Sequence, residues 1–477
     1  MDLLPLARVE FAITAGGHFL FVVLTLGLAT LLAIMQVGET IRPSAESRAR
    51  LWFWGRLYVI NYAFGIVTGL VMEFELALNW SRLTTEIGPA LALETIVAFF
   101  VESTFLGLWL FGWDRLPRWA HLAVIWVVTL TAHISAYVVL VANAHLQHPA
   151  ADPWTNPAAW SAFAHVTGAG LVTAGIFVAG IGAYHRDRRS VRLGAWALLP
   201  GMTIVAAAGH QQFVRDLQPM KLALWDGTSA ERAALQSEMA AAYGPGDYIP
   251  PAWAATALLA MLIIGALLIA LALAGPFLAR AARSIESPEQ QPETFEHPAE
   301  TATPLSRRAK WPWGTTRRSG MSADYVGRTA ENAGGRAGNR KGGRTGNREG
   351  RRAGNGAEGR AGNYEGTVMQ PAGSSRGAKI FLYAIPLPFL AVLSGWIFRE
   401  VGRQPWAVYG RIKVADAITP GADVVQFAIF GPLFVALAVL NMIILWRHAK
   451  DKTPLQAIRS QHLLTPEERT PYLQYPL

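Results

Sequence analysis

Residues 11–37 read FAITAGGHFLFVVLTLGLATLLAIMQV, a run without a single Asp, Glu, Lys or Arg. As a helix rising about 1.5 Å per residue, it is long enough to cross the roughly 30 Å hydrocarbon layer of a bilayer. Similar runs recur at 52–78, 91–112, 120–143, 161–184, 193–209, 252–279, 380–398 and 423–446. The sixth is short and carries Pro200, so eight or nine spans fit, and we adopt nine. The expected fold is an all-α integral membrane protein, a bundle of about nine transmembrane helices with a disordered cytoplasmic loop. The first run is too long for the core of a signal peptide and reads as a true span.

Composition agrees with that reading. Only 16% of residues are charged, against about 25% in soluble domains, and 17 Trp and 21 Phe suit the aromatic belts of a membrane protein. The chain has no Cys, which excludes disulfides, thiolate nucleophiles and cysteine-held zinc or iron–sulfur clusters. Any metal chemistry therefore falls to His, Met, Glu or Asp. Of the net charge of +9, the stretch from Arg280 to Lys379 supplies +8, from 18 basic and 10 acidic residues. Basic character thus belongs to one segment, and no nucleic-acid partner is expected.

Lys and Arg in the short loops set the expected orientation. With the N-terminus outside, Arg42, Arg48, Arg50, Arg115, Arg118, Arg186, Arg188, Arg189, Arg192, Arg447 and Lys450 all fall inside. Arg399, Arg403, Arg411 and Lys413 fall outside, against the trend, which points to a specific task for them. The organisation reads as a six-span bundle at 1–209, an outer loop at 210–251 and a seventh span at 252–279. A low-complexity cytoplasmic loop at 280–379, two C-terminal spans at 380–450 and a tail at 451–477 follow. In the loop, Asn339, Asn347, Asn355 and Asn363 recur every eight residues, and a composition this poor in apolar residues does not support a packed core.

Ionisable groups at membrane depth are costly, so those that persist mark functional candidates. His18 follows two glycines that would admit a flat ligand, and it reads either as a hydrogen-bonded interior histidine or as a ligand. Glu94 and Glu102 lie in one span, ETIVAFFVESTFLGLWLFGW. On a straight α-helix they would stand about 80° apart around the axis and about 12 Å along it, which suits a proton relay or, alternatively, packing through hydrogen bonds. His165 opens a Gly-rich run, AHVTGAGLVTAG, that either seats a neighbouring helix or makes room for a macrocycle. With no Cys, two His plus Glu and Met are the ligand set that heme iron would use. At 395–410, GWIFREVGRQPWAVYG forms a charged, Trp-rich rim suited to a quinone head or a heme propionate.

Six blocks, in order, carry a resemblance: FAITAGGHFLFVVLTLGLATLLAIM at 11–35, GLVMEFELALNWSR at 69–82, ETIVAFFVESTFLGLWLFGWDRL at 94–116, ANAHLQHP at 142–149, QPMKLA at 218–223 and GRQPW at 402–406. Together they resemble subunit I of the cytochrome bd-type quinol oxidases over nearly all of the chain outside 281–378. The resemblance implies a bacterial plasma-membrane, multi-pass enzyme that oxidises quinol on the outer side and reduces dioxygen to water with cytoplasmic protons. It also implies a second membrane subunit as partner. The cofactors implied are heme b together with heme d or a b-type heme in its place.

Residue by residue, the resemblance makes His18 the axial ligand of the oxygen-site heme and Glu94 a carboxylate beside or on that iron. Glu102 and Ser135 become the proton path, and His165 a ligand of the low-spin b heme. Lys221, Asp226 and Glu400 become the quinol site, with Asp226 where the family usually has Glu. Two departures follow. Thr256 and Leu258 stand where the family carries Arg and the Met ligand of the low-spin heme, with Met261 one turn further on the same face. Asn441 stands where we align the glutamate that ligates the high-spin b heme. The alternative they motivate is a divergent paralogue with an incomplete heme set, acting as partner of a complete subunit I. A heme-free transporter built on the buried glutamates is a third reading, for which no inverted repeat speaks.

Overall fold

The computed structural model describes residues 3–215, 218–281 and 376–451. The expected loop at 280–379 and the tail at 451–477 fall almost wholly outside them. Among the described residues, nine helical segments are long and apolar enough to cross a membrane.

The first is α1 (Leu4–Ile41), followed by α2 (Ala45–Asn79). The third span is composite: α3 (Ser81–Leu93), a π-helical stretch at Glu94–Phe99, and α4 (Phe100–Phe111). Then come α5 (Arg118–Gln147), α6 (Pro157–Tyr184) and α7 (Arg188–Arg215). Two short helices, α8 (Pro219–Trp225) and α9 (Ser229–Tyr243), precede α10 (Trp253–Ala281). The chain resumes with α11 (Arg376–Ala384) and α12 (Pro386–Val401), which together make the eighth span. A hairpin of β1 (Trp406–Val408) and β2 (Ile412–Lys413), the single turn α13 (Val414–Ala417) and α14 (Val424–Lys450) complete it.

The apolar runs mark the cores of these helices, and the helices overrun them at most ends. The sixth span is the clearest difference. It extends to Arg215, well past the expected end at 209, because Pro200 is accommodated inside the helix and the polar residues after Ala208 continue it. The segment 210–251 therefore begins helical and carries α8 and α9 besides. Capping is conventional: Ser44 with Ser47 starts α2, Thr228 with Glu231 starts α9, and Asp423 with Gln426 starts α14, each cap satisfying amides that the first turn leaves unpaired.

The core sits where α1, α2, α4, α5 and α6 meet, around Leu31, Leu32, Trp54, Leu57, Ile125 and Val128. Small residues bring three backbones together: a side chain at Gly27 would collide with the Gly170 carbonyl of α6, and one at Gly194 with the Gly175 carbonyl. Such close approach is how helices associate where burial against lipid offers no hydrophobic gain. By contrast, α10 exposes Leu262, Ile263, Leu267, Leu273 and Phe277, and α14 exposes Val425, Ile429, Val439, Met442 and Trp446, faces suited to a bilayer.

The two ends of the bundle are locked differently. At one, Arg50 of α2 pairs with Asp187 at 2.9 Å, and Trp54 Nε1 donates to Ser190 at 2.8 Å. At the other, the hairpin closes over α5, where Tyr409 N donates to the Leu146 carbonyl. There Trp406 packs with Met220, Met239 and Tyr248, tying α8 and α9 to the residues after α12.

Candidate functional site

Three groups of side chains carry the chemistry. The first is the rim where α5, α8 and the end of α12 converge. Glu400 meets Arg403 at 2.6 Å, and Asn143 Nδ2 donates to its other oxygen at 3.2 Å. Asn143 Oδ1 accepts from Arg399 Nε at 2.8 Å and from Gln147 Nε2 at 2.9 Å. Arg399 reaches Gln212 at 3.1 Å, and Lys221 Nζ donates to Gln147 Oε1 at 3.0 Å. Asn143 is thus a neutral hub whose amide orientation is dictated by its partners.

Lys221 is buried, and Gly402 lies so close that a side chain there would press on the lysine stem. Burial pushes the Lys221 ammonium down to about 7, Arg399 and Arg403 push the same way, and Glu400 opposes them. Three basic groups around one carboxylate leave the rim cationic, suited to an anionic head or a polar ring with hydroxyls. Asp226 is not part of this group. It follows the last turn of α8 and is exposed, so the structure brings Lys221 and Glu400 together and sets Asp226 apart.

The second group holds the two histidines. His18 Nδ1 lies 3.1 Å from Thr68 Oγ1, while that hydroxyl is within reach of the Phe64 and Gly65 carbonyls at 2.8 and 3.0 Å. Carbonyls only accept, so the hydroxyl proton points at them and His18 Nδ1 carries the proton in their contact. Nε2 is left with its lone pair. His165 is arranged alike: Nδ1 faces the Val205 carbonyl at 3.0 Å, with Gly209 clearing space beside the ring. Such outer partners fix the tautomer of a metal-ligating histidine. His121 makes the contrast, since Gln36 holds Nδ1 at 2.7 Å and the Trp109 carbonyl holds Nε2 at 2.8 Å. Among the described residues no cluster of three or more His, Asp or Glu could hold a bare metal ion. Single histidines with a free Nε2 fit heme iron instead.

The third group is a column of carboxylates. Ser135 of α5 donates to Glu94 at 2.5 Å, and Thr95 donates to Glu73 of α2 at 2.6 Å. Glu73 and Thr95 also line a cavity of 370 Å³ with Thr84, Gly88, Leu91, Ala92 and Ile96. Glu102 accepts from Tyr58 at 3.2 Å, and Tyr62 meets Ser103 at 3.1 Å. The π-helical stretch begins at Glu94, so the straight-helix geometry of the Glu94–Glu102 pair does not apply. Its wider turn re-aims Glu94 toward α5 while Glu102 faces α2, and such insertions often occur at functional sites.

The two departures also have places. Leu258 is buried with Leu224, Ala254 and Phe398, and the Met261 sulfur packs against Gly395 of α12. Asn441 is buried and reaches Asn61 at 3.4 Å, which itself holds the Phe21 carbonyl and Thr25. Sequence reasoning missed the Asn143–Gln147 hub, because neutral amides leave no pattern. It also missed Glu73, Tyr58 and Tyr62, for which the polar residues inside GLVMEFELALNW and LYVINYAF were the available signal.

A family model described as cytochrome bd terminal oxidase subunit I matches residues 6–246 and 237–453. The chain is 27% identical over 533 residues to cytochrome bd ubiquinol oxidase subunit 1 of Bacillus subtilis (strain 168), covering 94% of each. It is 38% identical over 256 residues to cytochrome bd-II ubiquinol oxidase subunit 1 of Escherichia coli (strain K12), 47% of this chain and 50% of that one. In fold it is similar to the bd oxidase from Geobacillus thermodenitrificans, with a TM-score of 0.65 at 19% identity, over 94% of this chain and 98% of that one.

Proposed function

The chain belongs to the cytochrome bd terminal oxidase subunit I family, and from that premise we propose that it is the heme-bearing subunit of a membrane quinol oxidase that reduces dioxygen to water. In this reading it works with a second membrane subunit, and quinol is oxidised at the outer end of the bundle, where the rim lies. The observation that carries the proposal is the matched state of His18 and His165, each with Nδ1 tied down and Nε2 free for iron.

Heme, of b type at His165 and of d or b type at His18, supplies electron transfer and dioxygen reduction when bound. The protein's part is positioning and proton handling. Thr68 and the Val205 carbonyl orient the two rings. Lys221, Glu400 and Arg403 bind the quinol head, and Lys221, held near neutrality in its buried setting, accepts a hydroxyl proton there. Asp226, exposed at the end of α8, stays outside this binding set. At the other side, Glu102 receives a cytoplasmic proton and Glu94, paired with Ser135, delivers it beside the oxygen site. The domain limits stand as a proposal too, with the outer loop at 210–251, whose first residues continue α7 to Arg215.

The test is a heme count by pyridine hemochrome with reduced-minus-oxidised spectra, together with oxygen uptake by His18→Ala. Loss of uptake is expected, and uptake at the wild-type rate would overturn the assignment. A second reading keeps its own observation: Leu258 is sealed in an apolar cluster and the Met261 sulfur is turned to Gly395. A chain with fewer than three hemes would support the divergent paralogue, partner to a complete subunit I.

A further inference from the structure

Glu10 of α1 and Glu75 of α2 are the least exposed carboxylates among the described residues, at 2% and 0%, and Asn79 beside them is at 0%. Asn79 Nδ2 stands 3.1 Å from both oxygens of Glu10. Both Glu75 oxygens, Asn79 Oδ1 and Trp80 Nε1 are buried without a hydrogen-bond partner. Glu75 faces Thr14 and the Trp80 indole, and Glu10 faces Glu75. None of the roles proposed above uses these groups.

The surrounding charges are engaged elsewhere. Arg8 of α1 binds Gln404 at 2.9 Å, and Arg82 of α3 binds the Asp416 carbonyl at 3.4 Å. On α3 and α5, Glu86 and His145 meet each other at 3.5 Å. Beyond α12, Arg403 pairs with Glu400. Two neighbouring carboxylates with no cation cannot both stay ionised in such a place.

One proton resolves all four orphaned atoms. On Glu75 it converts an acceptor into a donor, and Asn79, at i+4 on the same face of α2, offers the orphaned Oδ1. The remaining Glu75 oxygen is an acceptor for Trp80 Nε1. Glu10, already gripped by the Asn79 amide, keeps the negative charge. The site also adjoins the rim: Arg8 touches Gln404, and the Phe11 ring packs 6.3 Å from Trp396, one turn before Glu400.

We infer that Glu10 and Glu75, bridged by Asn79, form a proton-holding site that takes up a proton released at the rim during quinol oxidation and returns it to outer water. The inference rests on the quinol-oxidase reading. Oxidising one hydroquinone to quinone frees two protons and two electrons, for which the bound heme would be the acceptor. Lys221 takes one of these protons, as proposed above, and the Glu10 carboxylate takes the other; the pair then passes a proton on to outer water, restoring its single bound proton.

The test is infrared difference spectroscopy on the whole purified oxidase, with quinol-dependent oxygen uptake measured beside it. A protonated-carboxyl C=O band that shifts in D2O is expected in the wild type and absent in Glu75→Gln. Uptake by Glu75→Gln should fall by about 10²-fold while heme content and reduction by dithionite stay at wild-type levels. Glu10→Gln serves if Glu75→Gln fails to fold: with the neighbouring charge gone, the Glu75 band should disappear at a lower pH than in wild type. A band that persists in Glu75→Gln, one whose pH dependence is unmoved in Glu10→Gln, or unchanged quinol oxidation with the band lost would each overturn the inference. A wild-type protein that takes up no oxygen with quinol would overturn the functional reading instead, while the band still decides whether the pair holds a proton.

Discussion

The rim around Lys221 and the column of glutamates from Glu94 to Glu102 are both sheltered and both rich in ionisable groups, yet they are partnered in opposite ways. At the rim, Glu400 is set against Arg403 and an amide, with Arg399 and Lys221 close by. In the column, Glu94 and Glu102 meet only hydroxyls, those of Ser135 and Tyr58. Ion pairs hold a carboxylate in its charged form, and desolvation without a cation favours the neutral one. In the proposed function the rim accordingly holds a polar ligand among paired charges, with Lys221 its one proton acceptor, and the column relays protons.

Substitutions can break or sharpen that contrast. The largest effect is expected in the column: Glu94→Gln should cut oxygen uptake by about 10²- to 10⁴-fold without loss of fold, read from steady-state rates beside the heme spectrum. If Glu94→Gln instead lowered stability and spared turnover, the column would be structural and the contrast would fail. At the rim the order of effects reverses. Glu400→Gln strands Arg403 as a buried, unpaired cation, and breaking such a pair costs about 3–5 kcal/mol, to be seen in thermal unfolding before any kinetic change is assigned.

Lys221 sharpens the rim further. Its folded value of about 7 lies below the ordinary 10.5, so between those values the unfolded chain holds a proton that the folded one does not. Stability therefore rises with pH across that window. With a neutral Lys221 accepting the quinol proton, turnover should climb as pH passes about 7. Lys221→Met should lower turnover by about 10²-fold and abolish that step in the pH profile. The smallest effect is expected at exposed Asp226, where Asp226→Asn should change turnover within about twofold, as surface substitutions away from special features change little. A large loss there would mean that the segment carrying α8 closes further onto substrate.

Much of the architecture was legible in the chain. Nine apolar runs, each poor in charge, place nine spans because a bilayer leaves the backbone few ways to satisfy its hydrogen bonds other than a helix. His18, His165, Glu94 and Glu102 stood out because charge at membrane depth is expensive, and Lys221 stood out only through the resemblance carried by QPMKLA in the outer loop. Less legible were the ends, as α7 shows: hydropathy marks where lipid begins, whereas a helix stops only where caps and partners stop it.

What the sequence alone determined is the class of molecule, its approximate spans and the identity of the ionisable groups that lipid would not tolerate without purpose. The tertiary structure alone decided which of them share a site. It separated Asp226 from Lys221 because α8 ends at Trp225 and turns its acid to solvent. It re-aimed Glu94 through a π-helical turn that no hydropathy pattern encodes, and it joined Lys221 to Glu400 through the neutral side chains of Asn143 and Gln147. It also set Glu10 against Glu75, residues on two different helices. The physical reason is one of range: the tendency to leave water belongs to each residue and is written locally, but hydrogen bonds and ion pairs depend on distances of about 3 Å between groups that only packing brings together.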